Sequence, residues 1–205
     1  MSFLLFLAAA SLIALSPGPG IFYVAARTLA DGSSVGLASS LGTSIGGLVH
    51  VAAGAVGVSA LVLASAEAFT ILKLAGALYL IWLGIKTARQ AHFDITAAAR
   101  GASAGRAFRD GIFVEALNPK TAAFFLAFLP QFVEPGLGTV WLQFFVLGLI
   151  SVFLNTAVDV VVVFMAARAR SAALARPSLL ARLRVGAGIA IAALGFGLLF
   201  ARRPV

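Results

Sequence analysis

The chain has 205 residues, of which 61% are hydrophobic and 11% charged, with a mean hydropathy of +1.07; a soluble domain is nearer about 45–50% apolar and about 25% charged. It contains no cysteine, which excludes disulfides, thiol redox chemistry and thiolate metal sites. A net charge of +8 would suggest nucleic acid as the partner of a soluble protein, but here the charges are sparse and grouped between long apolar runs. They read instead as the basic cytoplasmic loops of a polytopic, all-α membrane protein that binds no nucleic acid.

Six membrane helices are predicted, over roughly 2–26, 35–63, 67–88, 111–131, 138–167 and 184–202. The first run, "SFLLFLAAASLIA", has no basic residue before Arg27 and no clear cleavage signal, so it reads as a retained span rather than a signal peptide. It is interrupted by "SPGPG" at 16–20. Proline has no N–H, and its ring clashes with the carbonyl four residues back. Pro17 therefore frees the carbonyl of Ile13, and Pro19 that of Leu15. Ser16 and Gly18 each precede a proline and are pushed out of helical geometry. Carbonyls left unpaired in hydrocarbon cost several kcal/mol, so such a break survives only against protein or a water-filled cavity.

The second helix is rich in small residues, with Ser39, Gly42, Thr43, Gly46 and Gly47 at small-xxx-small spacings, and reads mainly as a close-packing surface. It also carries His50. The third, "FTILKLAGALYLIWLGIK", has Tyr79 and Trp82 as interface anchors and Lys73, which reads as a snorkelling residue. A polar, Ala/Gly-rich linker over 91–110 then divides the chain into a first three-helix unit, 1–90, and a second, 111–205.

The fourth helix repeats the feature of the first. In "FVEALNPKTAAFFLAFLPQFV", Pro119 frees the carbonyl of Glu115 and is flanked by Asn118 and Lys120. Proline breaks at matching positions of two halves point to a transporter site between inverted repeats, and three helices per half is the odd number that inverts the second half. Lys120 lies deep in an apolar span, where a charge faces the bundle interior or water. Glu115 is expected to reach the cytoplasmic entrance instead. The fifth helix carries Ser151, Asn155 and Asp159 four residues apart, a polar stripe on an apolar helix. Asp159 is the intramembrane acid best placed to carry a proton, with His50 as second candidate and possible partner.

Arg27, the linker-region residues Lys86, Arg89, Arg100, Arg106 and Arg109, and Arg168, Arg170, Arg176, Arg182 and Arg184 orient the chain. By the positive-inside rule their segments are cytoplasmic and both termini lie outside, against which stand only Arg202 and Arg203.

"SPGPG" (16–20), "GLASSLGTSIGGLVHVAAGAVG" (36–57), "KLAGALYLIWLGIKTAR" (73–89) and "LNPKTAAFFLAFLPQFV" (117–133) resemble the lysine-exporter family in its homoserine/threonine-exporter branch (LysE/RhtB). The resemblance implies a six-helix bacterial inner-membrane protein, not an enzyme, that exports amino acids in exchange for protons. That family commonly has an acidic or amide residue after Pro-Gly-Pro, where this chain has Gly20. The expected substrate site comprises Pro17, Gly18, Pro19, Gly20, Asn118, Pro119, Lys120 and Asn155. No cofactor and no metal are expected, and the reading leaves room for a homo-oligomer. The competing readings are a cation exporter, disfavoured by the absence of Cys and the presence of only two His, and a structural membrane subunit without transport.

Overall fold

The computed structural model describes residues 3–16, 18–64 and 103–173, with isolated residues between 67 and 89 and between 185 and 199. The third and sixth predicted helices fall largely outside the described residues, as do Pro17, Lys73 and most of the linker. Among the described residues every regular element is helical. In chain order these are α1 (Phe3–Leu15), α2 (Pro19–Asp31), α3 (Ser33–Ala64), α4 (Ala104–Ala116), α5 (Pro119–Ala123) and α6 (Val140–Ala173). A π-helical turn (Phe124–Phe128) and a 3-10 turn (Leu129–Phe132) continue α5, and a further 3-10 turn (Pro135–Leu137) precedes α6.

The first two helices meet the sequence expectation in kind but not at their ends. Helix α2 runs on to Asp31, and only Gly32, at φ +94°, separates it from α3. That backbone region favours glycine, so the turn can be this tight. Arg27, expected in a loop, is therefore helical and pairs with Asp31 at 3.6 Å and with Asp110 of α4 at 3.7 Å. Likewise α4 begins at Ala104 rather than near 111, because Ser103 caps it, its side chain accepting from the Arg106 N–H. Ala107, Gly111 and Glu115, one turn apart, form its buried face.

Segments Ser33–Gly57 and Val140–Arg168 are each long and apolar enough to cross a membrane. The pair α1 and α2, bent by 46°, and the pair α4 and Lys120–Phe132, bent by 45°, are so when each is taken as one broken span. Large apolar side chains such as Leu12, Leu41, Val56, Phe153 and Phe164 point outward, as they do toward lipid. The chain is thus an all-α polytopic membrane protein with several long apolar helices.

Helix α3 is the central element. A Cβ at Gly46 would lie 2.5 Å from the Ile112 carbonyl oxygen, and one at Gly111 would lie 2.7 Å from that of Ser39. Gly42 meets the Phe108 carbonyl in the same way. The small residues of α3 thus bring its backbone against that of α4, the packing role expected of them. On another face α3 packs against α6, where Gly47 faces Val152 and Gly148 faces Val51. An apolar core of Phe6, Ile13, Val51, Phe124, Phe125, Leu129 and Phe144 ties α1 and the segment after α5 to α3 and α6.

Candidate functional site

The two proline breaks face each other. Gly18 is the extended residue before α2, with Pro19 in the first turn of that helix; Asn118 is the extended residue before α5, with Pro119 in its first turn. Asn118 caps α5 by accepting the Lys120 N–H on Oδ1 at 3.0 Å. The breaks are bridged by Lys120, whose side chain is buried. Its Nζ donates to the carbonyls of Ile13 at 3.1 Å and Ser16 at 2.9 Å. Ile13 is the residue whose carbonyl Pro17 deprives of its i+4 partner; it accepts the Ser16 N–H at 3.2 Å instead, and a cation from the second break adds a charged donor. Gly18 allows this approach: a Cβ there would stand 3.0 Å from Lys120 Cε.

The second break is satisfied reciprocally. The Glu115 carbonyl accepts the Asn118 N–H at 2.9 Å and lies 2.9 Å from His50 Nε2 of α3. His50 also stacks on Phe125 at 5.9 Å between ring centroids. Its imidazole is therefore committed to the break, and Asp159 is not its partner.

Sequence reasoning misplaced Glu115. Its side chain does not extend to the surface of the protein but is only 3% exposed. Its Oε2 accepts Asn118 Nδ2 at 2.8 Å and its Oε1 accepts Thr121 Oγ1 at 2.6 Å. With a bond on each oxygen the side chain is held in one orientation. The signal was present in the sequence: an acid one turn before Pro119, inside an apolar run, beside two polar residues that could hold it.

Lys120, Glu115 and Thr121 line a cavity closed on its other sides by α1, α3 and α6. Ala10, Ile13 and Ala14 give it an apolar wall, and Phe124 and Phe125 an aromatic one. Thr43, Ser44, Ser151 and Asn155 are its polar face. The stripe on α6 divides there: Ser151 and Asn155 reach the cavity, whereas Asp159 lies one turn further along. Asp159 is 0% exposed, with Oδ2 accepting Thr43 Oγ1 at 2.9 Å and Oδ1 without a hydrogen-bond partner among the described residues. Thr43 thus touches both the cavity and Asp159. Among the described residues no group of three His, Asp or Glu converges as a metal site.

Toward the arginine-bearing ends of α2 and α4 the two broken spans are latched together. Tyr23 donates to the Ala107 carbonyl at 2.7 Å, and Arg27 reaches Asp110 while lying over the Tyr23 ring.

Paired broken spans around a buried lysine belong with the wider sequence match. The LysE type translocator family matches residues 11–202. The chain belongs to the LysE family. Among LysE relatives, an uncharacterized membrane protein of Vibrio cholerae is 35% identical over 162 residues, 78% of this chain and 77% of its own length. A homoserine/homoserine lactone efflux protein of Salmonella typhimurium is 36% identical over 154 residues, 75% and 74% of the two chains. A leucine efflux protein of Klebsiella pneumoniae is 32% identical over 155 residues, 73% and 71%. No solved structure matches the chain. This LysE chain is accordingly a bacterial, multi-pass inner-membrane exporter of a small solute, a transporter and not an enzyme.

Proposed function

We propose that this LysE family member exports a small amino acid or derivative by alternating access between two inverted three-helix repeats, in exchange for protons. The observation that carries the reading is Lys120: a buried ammonium that joins both proline breaks while lining the cavity beside them. Two of its three N–H groups are engaged by backbone carbonyls, and the third is left for a substrate carboxylate. The matching bends of 46° and 45° support a repeat relation between the halves. The names of the Salmonella and Klebsiella relatives support an amino-acid cargo, within the homoserine/threonine-exporter branch. In the alternating cycle the Tyr23–Ala107 and Arg27–Asp110 contacts hold one face closed and part when it opens.

Asp159 is the proton carrier in this reading. Its carboxylate is buried, with one oxygen unpartnered among the described residues, and Thr43 connects it to the cavity wall. His50 ranks second, because its Nε2 is held by the Glu115 carbonyl.

The test is counterflow in proteoliposomes against a panel of radiolabelled amino acids, with Asp159→Asn beside the wild type. The substitution keeps the shape and removes the titrating group. The expected result is exchange of one or a few amino acids by both proteins, with uphill accumulation driven by a pH gradient lost in Asp159→Asn. Undiminished uphill transport by Asp159→Asn would move the coupling elsewhere. A wild type that exchanges no amino acid would favour the cation or structural readings.

A further inference from the structure

Every buried charge near the cavity has an assigned task in this reading except one. Lys120 meets a carboxylate, Asp159 carries a proton, and Glu115 has no role. Yet Glu115, not Asp159, is the acid in the cavity wall. Its carboxylate is held by Asn118 Nδ2 and by Thr121 Oγ1, itself a cavity residue, one donor on each oxygen. Each oxygen keeps a second lone pair. Glu115 and Lys120 line the same cavity without pairing, since the Lys120 ammonium is turned to the Ile13 and Ser16 carbonyls. Opposite charges fixed on one wall and kept apart match the two ends of a zwitterion.

A second observation concerns Gly20. A Cβ there would lie 2.5 Å from Glu115 Oε2 and 3.9 Å from Asn118 Nδ2. The carboxylate of the second break thus fills the space that a side chain at position 20 would occupy in the first. Any larger residue would displace Oε2, the oxygen that Asn118 Nδ2 holds.

We infer that Glu115 binds the ammonium group of the transported solute and that Gly20 is the specificity determinant that lets it do so. The solute class is then α-amino acids with a free amino group. Their α-hydroxy acid analogues, which present a hydroxyl where the ammonium should be, are rejected. This rests on the export reading above.

The test measures half-saturating concentrations for counterflow of L-homoserine and L-leucine, each against its α-hydroxy acid analogue. A hydrogen bond to a charged group is worth about 1.5–3 kcal/mol, or roughly 10- to 100-fold. The wild type is expected to prefer the amino acids by that factor. Glu115→Gln should bring the preference close to unity by weakening the amino acids alone. Gly20→Ala, a much smaller perturbation of the fold, should cut the preference several-fold in the same direction. The inference is overturned if Glu115→Gln weakens both solutes equally, as a merely structural residue would, or if the wild type does not discriminate. A wild type that exchanges none of the four solutes overturns the export reading itself, and this inference with it.

Discussion

Lys120→Met is expected to abolish exchange and to destabilise the protein by about 2–5 kcal/mol, the cost of taking a charged donor away from two buried carbonyls. Methionine fills similar volume, so the effect is electrostatic rather than a cavity. The substitution removes both donors to the Ile13 and Ser16 carbonyls. It also leaves Glu115 buried with no cation among its described cavity neighbours. Adding Glu115→Gln to Lys120→Met should recover part of the stability, because the orphaned charge is gone, while exchange stays absent. Lys120→Arg keeps the charge but is not conservative at a tight site. The Lys120 chain already passes Gly18 so closely that a Cβ there would be 3.0 Å away, so only weak exchange is expected. Thermal unfolding in detergent and counterflow in proteoliposomes read the two effects separately.

The second large effect lies away from the charges. Gly46→Leu should separate α3 from α4 and cost at least about 3 kcal/mol, the upper range of overpacking, because the obstructing atoms are backbone. Its Cβ alone would sit 2.5 Å from the Ile112 carbonyl oxygen and 2.8 Å from Glu115 Cβ. The same displacement would move Glu115 relative to Gly20, so transport falls with stability. Gly57→Leu is the control, since a Cβ there meets nothing within 4 Å among the described residues. It should fold and transport as the wild type does. Size-exclusion profiles and thermal unfolding of the two variants provide the comparison.

The architecture was legible where the sequence signal is local. Apolar length gave α3 and α6 within a few residues, and the missing N–H groups of Pro19 and Pro119 placed both breaks. Ends were less legible, because Gly32 and Ser103 terminate or start helices through single-residue geometry inside runs that hydropathy blurs. The segment after Pro119 was read as plain helix, whereas it passes through a π turn and then a 3-10 turn. Pro130, which lacks the N–H that a regular helix would need there, is the local cause. The site was legible as residue types but not as pairings. Lys120 was singled out correctly as buried, yet nothing in one dimension shows that it reaches back 107 residues to Ile13. Glu115 was misread because its two donors, Asn118 and Thr121, converge on it only once the chain breaks at Leu117. The separation of Asp159 from the cavity also depends on which side of α6 faces Thr43, a tertiary fact.

The central claim is that the solute binds in the cavity beside the two breaks, against Lys120 and Glu115. Because the chain has no cysteine, Ser44→Cys creates a single thiol, and Ser44 lines that cavity. The measurement is the rate of its alkylation by a small thiol reagent in proteoliposomes, with and without a saturating concentration of an amino acid that the same vesicles exchange. Binding in the cavity predicts that the amino acid slows labelling at Ser44→Cys while labelling of the exposed Ser103→Cys is unchanged. Unaltered labelling at Ser44→Cys in vesicles that still exchange that amino acid would place the substrate elsewhere and contradict the account.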